Sequence, residues 1–325
     1  MNIIGIDISK ATFNAHLVTK DQTHSADFSN EKKGFRSFRN WLKKRGAANG
    51  WACMEATGRY GDELAEFLFN AGYKVSVVNP ARTKRYSDSK LTRNVNDKNA
   101  ARIIADFCIT QQPELWQPAP PEVKTLQQLV RRVHALKETR AQEKNRLQAA
   151  ALDPLVAKSI KKMINALTKE IDALEAKVKS HIDNHPDLKK QRDLLVTIPG
   201  IADTSASEIM SEISDISRFE SADQVVAYAG LSPASRQSGT SVQSKTKLSK
   251  IGNSRLRTAL FFPAMSALKH NPIIIAQKKR LEERGKIKMV IIGAAMRKLL
   301  RLAYGVLKTG QPFDPNFVVN MQKTA

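Results

Sequence analysis

Three carboxylates stand where a metal ion could use them. Asp7 lies inside Ile3-Ile4-Gly5-Ile6-Asp7-Ile8-Ser9-Lys10, an apolar run that fits a buried strand. Glu55 ends the run Trp51-Ala52-Cys53-Met54, and Asp97 opens a helical stretch that continues to Phe107. A carboxylate in a buried strand is costly unless something cationic pairs with it. Two strand-borne acids and one helix-borne acid, with no CxxC or paired His nearby, suit a hard cation held by oxygen, Mg²⁺ or Mn²⁺. Each acid taken singly could instead cap a turn or pair with an arginine. His16 and His24 sit alone on amphipathic stretches and are expected at the surface.

The elements that must carry these acids are readable over residues 1 to about 115. Thr12 to Val18 alternates as a strand, Lys20-Asp21-Gln22 turns it, and Thr23 to Phe28 reads as an antiparallel partner. Phe35, Phe38, Trp41 and Leu42 recur at helical spacing. Trp51 to Glu55 is a fourth strand, Asp62 to Asn70 a helix, and Lys74 to Val78 a fifth strand ended by Asn79-Pro80. Two helices follow. The order βββαβαβα is that of an RNase H-like nuclease core.

Charge indicates the partner. The 325 residues carry a net charge of +22, which points to a polyanion and first to nucleic acid. From Leu231 to Gly310 there are 17 Lys or Arg against only Glu282 and Glu283, so this segment holds +15 of the +22. The two cysteines, Cys53 and Cys108, lie in apolar settings and read as reduced core residues. No signal peptide precedes the first strand and no apolar run is long enough to span a membrane, so a cytoplasmic protein is expected.

Beyond a Pro-rich linker at 113–121, the segment 122–185 reads as two long helices around a break at Asp153-Pro154. In the second of them Ile160, Met163, Ile164, Leu167, Ile171, Leu174, Val178 and Ile182 follow steps of three and four, the seam of an antiparallel coiled-coil arm. Residues 190–325 form a mainly helical domain. Its Ile198-Pro199-Gly200-Ile201 turn suggests a helix-hairpin-helix-like unit, in which Gly200 would let backbone N–H groups approach a phosphate. Leu231 to Asn253 is long, polar and basic, without Asp or Glu and with no strand or helix period, and a loop of this length is usually functional.

GIDISK, CMEATG, VVNP, RNVND with its following AR, IPGI, YAGLSPASRQSG, SKIGN and MRKLLRLAYGVLK occur in this order along the chain. Together they resemble the DEDD transposases of bacterial insertion sequences, the group described as bridge-RNA-guided recombinases, to which the pilin-gene invertases are similar. The resemblance implies a RuvC-like domain at 1–115 whose acids Asp7, Glu55 and Asp97 bind Mg²⁺ or Mn²⁺, an arm at 122–185, and a transposase domain at 190–325. It implies a serine nucleophile in the RQSG loop, here Ser238, that forms a covalent phosphoserine with DNA. Loop composition alone leaves Ser235, Thr240 and Ser241 equally eligible. The resemblance also implies DNA donor and target, a noncoding guide RNA, and a homo-oligomer, dimer to tetramer, whose sites combine carboxylates of one protomer with the serine of another. Arg236, Lys245, Lys247, Lys250, Arg255 and Arg257, with Gly200, are the expected nucleic-acid contacts, Arg236 facing the developing phosphorane charge.

One departure stands out. The family pattern has a fourth acid three residues after the third, and this chain has Ala100 there. An Asp at that position would share the helical face of Asp97, whereas Asp106, nine residues on, faces the opposite way. Two other readings stay open at this stage: a junction nuclease that uses water as nucleophile, and a nucleic-acid-binding protein impaired at Ala100.

Overall fold

Ile3, Ile4, Ile6 and Ile8 are β-branched and buried, which fits a strand covered on both faces. They form β1 (Ile3–Ile8), the central strand of a five-stranded sheet. The structure is a computed structural model that describes residues 2–56, 58–90, 97–148, 153–234, 237–238, 242–243 and 247–316, by backbone alone at 59, 97–98, 237–238 and 242–243. The chain divides into two compact units, Met1–Pro118 and Ala119–Ala325.

In the first unit β1 is followed by β2 (Thr12–Val18), β3 (Thr23–Ser29), α1 (Lys32–Lys43), β4 (Trp51–Glu55), α2 (Arg59–Asn70), β5 (Lys74–Val78), α3 (Pro80–Ser89) and α4 (Asp97–Gln111). The sheet order is β3-β2-β1-β4-β5, with β1 antiparallel to β2 and parallel to β4. This mixed sheet is consistent with an RNase H-like fold. On one face Phe13, Leu17 and Met54 pack with Phe35, Phe38 and Leu42 of α1 and Leu64 and Leu68 of α2. On the other, Ile3 and Cys53 meet Ile104, Ala105 and Cys108 of α4.

Two expectations need correcting in this unit. His16 is buried, not at the surface, and its Nδ1 is hydrogen-bonded to Ser25 Oγ at 2.8 Å. Burial, with Arg102 adding to it, lowers its pKa. The reason is α4, which covers the sheet face that an amphipathic β2 would otherwise show to water. The Pro-rich linker also begins as part of the unit. Trp116 N donates to Val75 O at 2.6 Å, its ring meets Phe69 edge-on, and the Ser76 hydroxyl reaches the carbonyls of Pro113 and Glu114.

The second unit begins with α5 (Pro121–Leu147) and α6 (Pro154–Asp183). Asp153 caps α6 by accepting from Leu155 N at 2.8 Å. Contacts Glu122 to His181, Lys137 to Glu175 and Arg140 to Thr168 show that the two helices run antiparallel. Leu167, Ile171 and Leu174 pack against Val133 and Leu136, whereas Leu155, Val156 and Met163 are exposed near the far end. After α7 (Pro186–Val196), α8 (Asp203–Ile213) and α9 (Ala222–Tyr228) come four two-residue strands, β6 (Pro233–Ala234), β7 (Gln237–Ser238), β8 (Val242–Gln243) and β9 (Lys247–Leu248). Helices α10 (Ser254–Ala259), α11 (Phe261–His270), α12 (Pro272–Glu283) and α13 (Lys288–Thr309) complete the unit.

The segment 231–253, expected without strands, instead holds two nested antiparallel ladders. β6 pairs with β9, and inside them β7 pairs with β8. The helical stretch that α10 and α11 make together is broken at Leu260, because Pro263 has no N–H to offer the Ala259 carbonyl. The chain beyond Gln311 is held as far as Phe313, whose N–H donates to Thr197 Oγ1 at 2.9 Å.

Candidate functional site

Register decides which side chains share a face. Ile6 of β1 lies beside Met54 of β4 in a parallel ladder, so Asp7 and Glu55 come next, side by side at the ends of neighbouring strands. Side chains alternate along a strand, so both acids fall on the face that carries Gly5 and Cys53. That face belongs to α4. A Cβ built on Gly5 would stand 2.0 Å from Ala101 O and 2.4 Å from Ala105 N, so the helix backbone rests directly on the strand. Ile104 and Cys108 cluster with Ile3 at the start of β1, so α4 runs opposite to the strand and begins over its far end. Asp97 opens that first turn, about 6 Å of helix rise before Ala101. The Asp97 side chain lies outside the described residues.

Asp7 and Glu55 are each half-buried. Neighbouring strands are about 4.8 Å apart, so two ionised carboxylates here repel unless a cation lies between or beside them. Oxygen donors without thiolate fit Mg²⁺ or Mn²⁺. Among the described residues no group of three His, Cys, Asp or Glu side chains converges. Glu55 is held from α3, where Thr83 Oγ1 donates to its Oε1 at 2.5 Å. Thr83 went unnoticed in the sequence because α3 is mostly polar and gives no apolar period to mark its inner face.

Ala100 is half-buried on α4. Asp106 is engaged elsewhere, in an ion pair with Lys90 and accepting from Tyr86 Oη at 3.1 Å. Cys53, next but one to Glu55, is hydrogen-bonded through its thiol to that of Cys108; this hydrogen bond first, then burial, pushes the Cys53 thiol far above its ordinary range. Both cysteines are free and buried.

In the second unit Ser238 lies on β7 with its backbone paired to Val242, and its side chain is outside the described residues. Arg236 and Lys245, like the rival hydroxyls Ser235, Thr240 and Ser241, lie outside them altogether. The foot of this hairpin is well described. Lys250 N donates to Gly230 O at 3.0 Å, Ser249 N to Ser232 O at 2.9 Å, and Asn253 N to Tyr228 O at 2.6 Å. Lys247, Lys250 and Arg255 are exposed there. Arg257 is spent inward: its Nη1 donates to Ala229 O at 2.9 Å and reaches Lys250 O at 3.4 Å.

A polar hub supports the foot. Glu212, only 5% exposed on α8, takes Arg131 of α5 on both oxygens and Asn253 Nδ2 at 2.9 Å on Oε2. Tyr228 Oη donates to the Glu212 carbonyl at 3.2 Å. An acid between Ile209 and Ile213 on a buried helix face was the signal in the sequence.

Gly200 has another explanation than the expected phosphate contact. Its φ is +111°, and a Cβ there would lie 2.7 Å from Ala267 Cβ and 2.9 Å from Ala267 N. The turn needs glycine to let α11 pass, and α8 opens on Asp203, a carboxylate where a phosphate would dock.

Residues 4–155 match the family model described as Transposase, of the DEDD IS110 type. Residues 192–279 match that of the Transposase IS116/IS110/IS902 family. The chain is 34% identical over 315 residues to the pilin gene-inverting protein of Moraxella lacunata, covering 96% of this chain and 97% of that protein, and the Moraxella bovis protein of the same name matches equally. It is 23% identical over 171 residues to an uncharacterized 43.6 kDa protein of insertion element IS110 from Streptomyces coelicolor, 53% of this chain and 41% of that one. No helix among the described residues is long and apolar enough to cross a membrane.

Proposed function

The chain belongs to the IS110 family of DEDD transposases, and we propose that it cuts and rejoins DNA through a phosphoserine formed at Ser238. The observation that carries this reading is the in-register placing of Asp7 and Glu55 beneath the first turn of α4. Asp7, Glu55 and Asp97 would hold Mg²⁺ or Mn²⁺, which when bound supplies charge that offsets the negative phosphate. The protein's own part is to hold these carboxylates on a strand pair and a helix, so that little reorganisation is needed at reaction.

Ser238 attacks the phosphorus of a DNA phosphodiester. The Oγ–P bond forms as the bond from phosphorus to one deoxyribose oxygen breaks, and that oxygen leaves with a proton to replace the one Ser238 gives up. A hydroxyl of the partner strand then attacks the phosphoserine, closes a new phosphodiester and returns Ser238 free. A serine hydroxyl is a weak nucleophile unless a base or a metal activates it. Lys247, Lys250 and Arg255 on the exposed foot of the hairpin would bind flanking phosphates. In this reading Arg236 neutralises charge on the reacting phosphate.

A guide RNA that pairs with donor and target would supply the sequence choice, and an assembly of two to four copies would join acids of one protomer to the serine of another. Labelled DNA incubated with the protein and its metal tests the core of the reading. A covalent protein–DNA adduct is expected with the unaltered chain and none with Ser238→Ala. An adduct that persists in Ser238→Ala would remove Ser238 as nucleophile.

A further inference from the structure

Thr83 is 2% exposed, yet it carries a hydroxyl, and α3 delivers that hydroxyl to the side chain of Glu55. Two acceptors lie in reach, Glu55 Oε1 at 2.5 Å and the carbonyl of Pro80 at 2.9 Å. A hydroxyl has one proton to donate. The Pro80 carbonyl already has a helical partner one turn on, in the N–H of Lys84, whereas a carboxylate oxygen draws the proton by charge. The proton therefore goes to Glu55.

The helix is built to hold this contact. Asn79 caps its start by accepting from Ala81 N at 2.8 Å, and Tyr86 ties its other end to Thr110 of α4 at 2.7 Å. Arg82 lies over the Phe107 ring, 5.5 Å from its centroid. α3 is thus pinned to the same helix that carries Asp97, and Thr83 is the residue through which it touches the strand-borne acid. The contact engages Oε1 and so fixes the plane and direction of the whole carboxylate, Oε2 included.

We propose that Thr83 is the positioning residue of Glu55, orienting its carboxylate for a divalent cation. This rests on the reading of Asp7, Glu55 and Asp97 as a cation site. A hydrogen bond that orients a ligating group typically contributes about 10–100-fold to metal affinity. The test is calorimetric titration of Mn²⁺ into the purified full-length chain, without DNA, for the unaltered protein and for Thr83→Val, Thr83→Ala and Thr83→Ser, each checked by thermal melting.

Thr83→Val keeps the shape and loses the donor, and is expected to weaken Mn²⁺ binding about tenfold. Thr83→Ser keeps the donor and should stay within about twofold of the unaltered protein, a rescue that packing alone would not produce. Thr83→Ala takes the place of the valine variant should the latter not fold. Equal Mn²⁺ affinity in the unaltered chain and in a folded variant without the hydroxyl overturns the role of Thr83 and leaves the cation site standing. An unaltered chain that takes up no Mn²⁺ overturns the cation site and this proposal with it.

Discussion

Arg131 grips Glu212 with two hydrogen bonds, Nε to Oε1 at 2.9 Å and Nη2 to Oε2 at 3.1 Å, and so joins the first long helix of the second unit to the foot of the serine hairpin. Glu212 is almost wholly buried while the Arg131 side chain is 39% exposed. Removing one partner of a buried pair costs about 3–5 kcal/mol, and the solvent around Arg131 reduces that to about 2 kcal/mol here. Arg131→Ala is expected to lower the urea midpoint accordingly. Asn253→Ala takes away one bond to the same carboxylate and also the cap of α10, where its Oδ1 accepts from Leu256 N at 3.1 Å, so it should cost a similar amount, about 2 kcal/mol. An Arg131→Ala protein as stable as the original would mean that the hub contributes nothing to the fold.

Gly5 sits against the backbone of α4, so no rotamer change can make room for a side chain there. Gly5→Ala is expected to cost about 3 kcal/mol, the upper end for overpacking, and to weaken Mn²⁺ binding because α4 must lift away from β1. Thermal melting measures the first effect and calorimetry the second. A stable Gly5→Ala protein with unchanged Mn²⁺ affinity would refute the close seating of α4.

Stability should fall with acid through His16. Its folded pKa lies below the ordinary 6.5, because burial and then Arg102 disfavour the charged ring. The unfolded chain therefore binds the proton more readily, so this contribution is complete above the unfolded value of about 6.5 and is lost as pH falls from there through the lower folded pKa. Urea unfolding between pH 7.5 and 5 should show the slope, and His16→Gln should flatten it. An identical slope in both proteins would assign the acid effect to other groups.

The basic surplus of the segment from Leu231 to Gly310 predicts steep salt dependence. Six or more phosphate contacts would reduce DNA affinity at least about 1,000-fold between 50 and 200 mM salt through counterion release. A nearly flat dependence would count against phosphate binding by this segment.

Position 100 and the shared site can be tested together. Ala100→Asp is expected to raise strand cleavage several-fold by adding a carboxylate one turn from Asp97. In that background, Ser238→Ala and Asp7→Asn chains should each be inactive, and their mixture should recover part of the adduct yield. A mixture as inactive as its components, with both folded, would place acids and serine of one site in one protomer.

The strands and most helices of the first unit were legible because their apolar residues follow periods of 2 and 3.6. Thr12–Val18, Trp51–Glu55 and Lys74–Val78 match their expected bounds, and the alternation puts Asp7 and Glu55 on one face. His16 was misplaced because an alternating strand announces only one apolar face, and α4, distant in sequence, covers the other. The ladders of the serine hairpin are two residues long each, too short for any period, and they are set by pairing across the loop. Thr83 and the hub at Glu212 depend on contacts between elements 28 and 81 residues apart, which a local pattern cannot register. Gly200 was legible as a constrained glycine, but not as one constrained by α11.

The seating of α4 on Gly5 also bears on how this chain can change. Most tight contacts in a core involve two side chains, so a larger residue at one position can be accommodated by a smaller one at the other. At Gly5 the opposing atoms are Ala101 O and Ala105 N, which every amino acid supplies alike. No second substitution at 101 or 105 can restore the space, and the mutational paths through position 5 are closed at their first step. The distance between the strand-borne acids and the helix above them is thereby shielded from drift, while the outward faces of the same elements remain open to it.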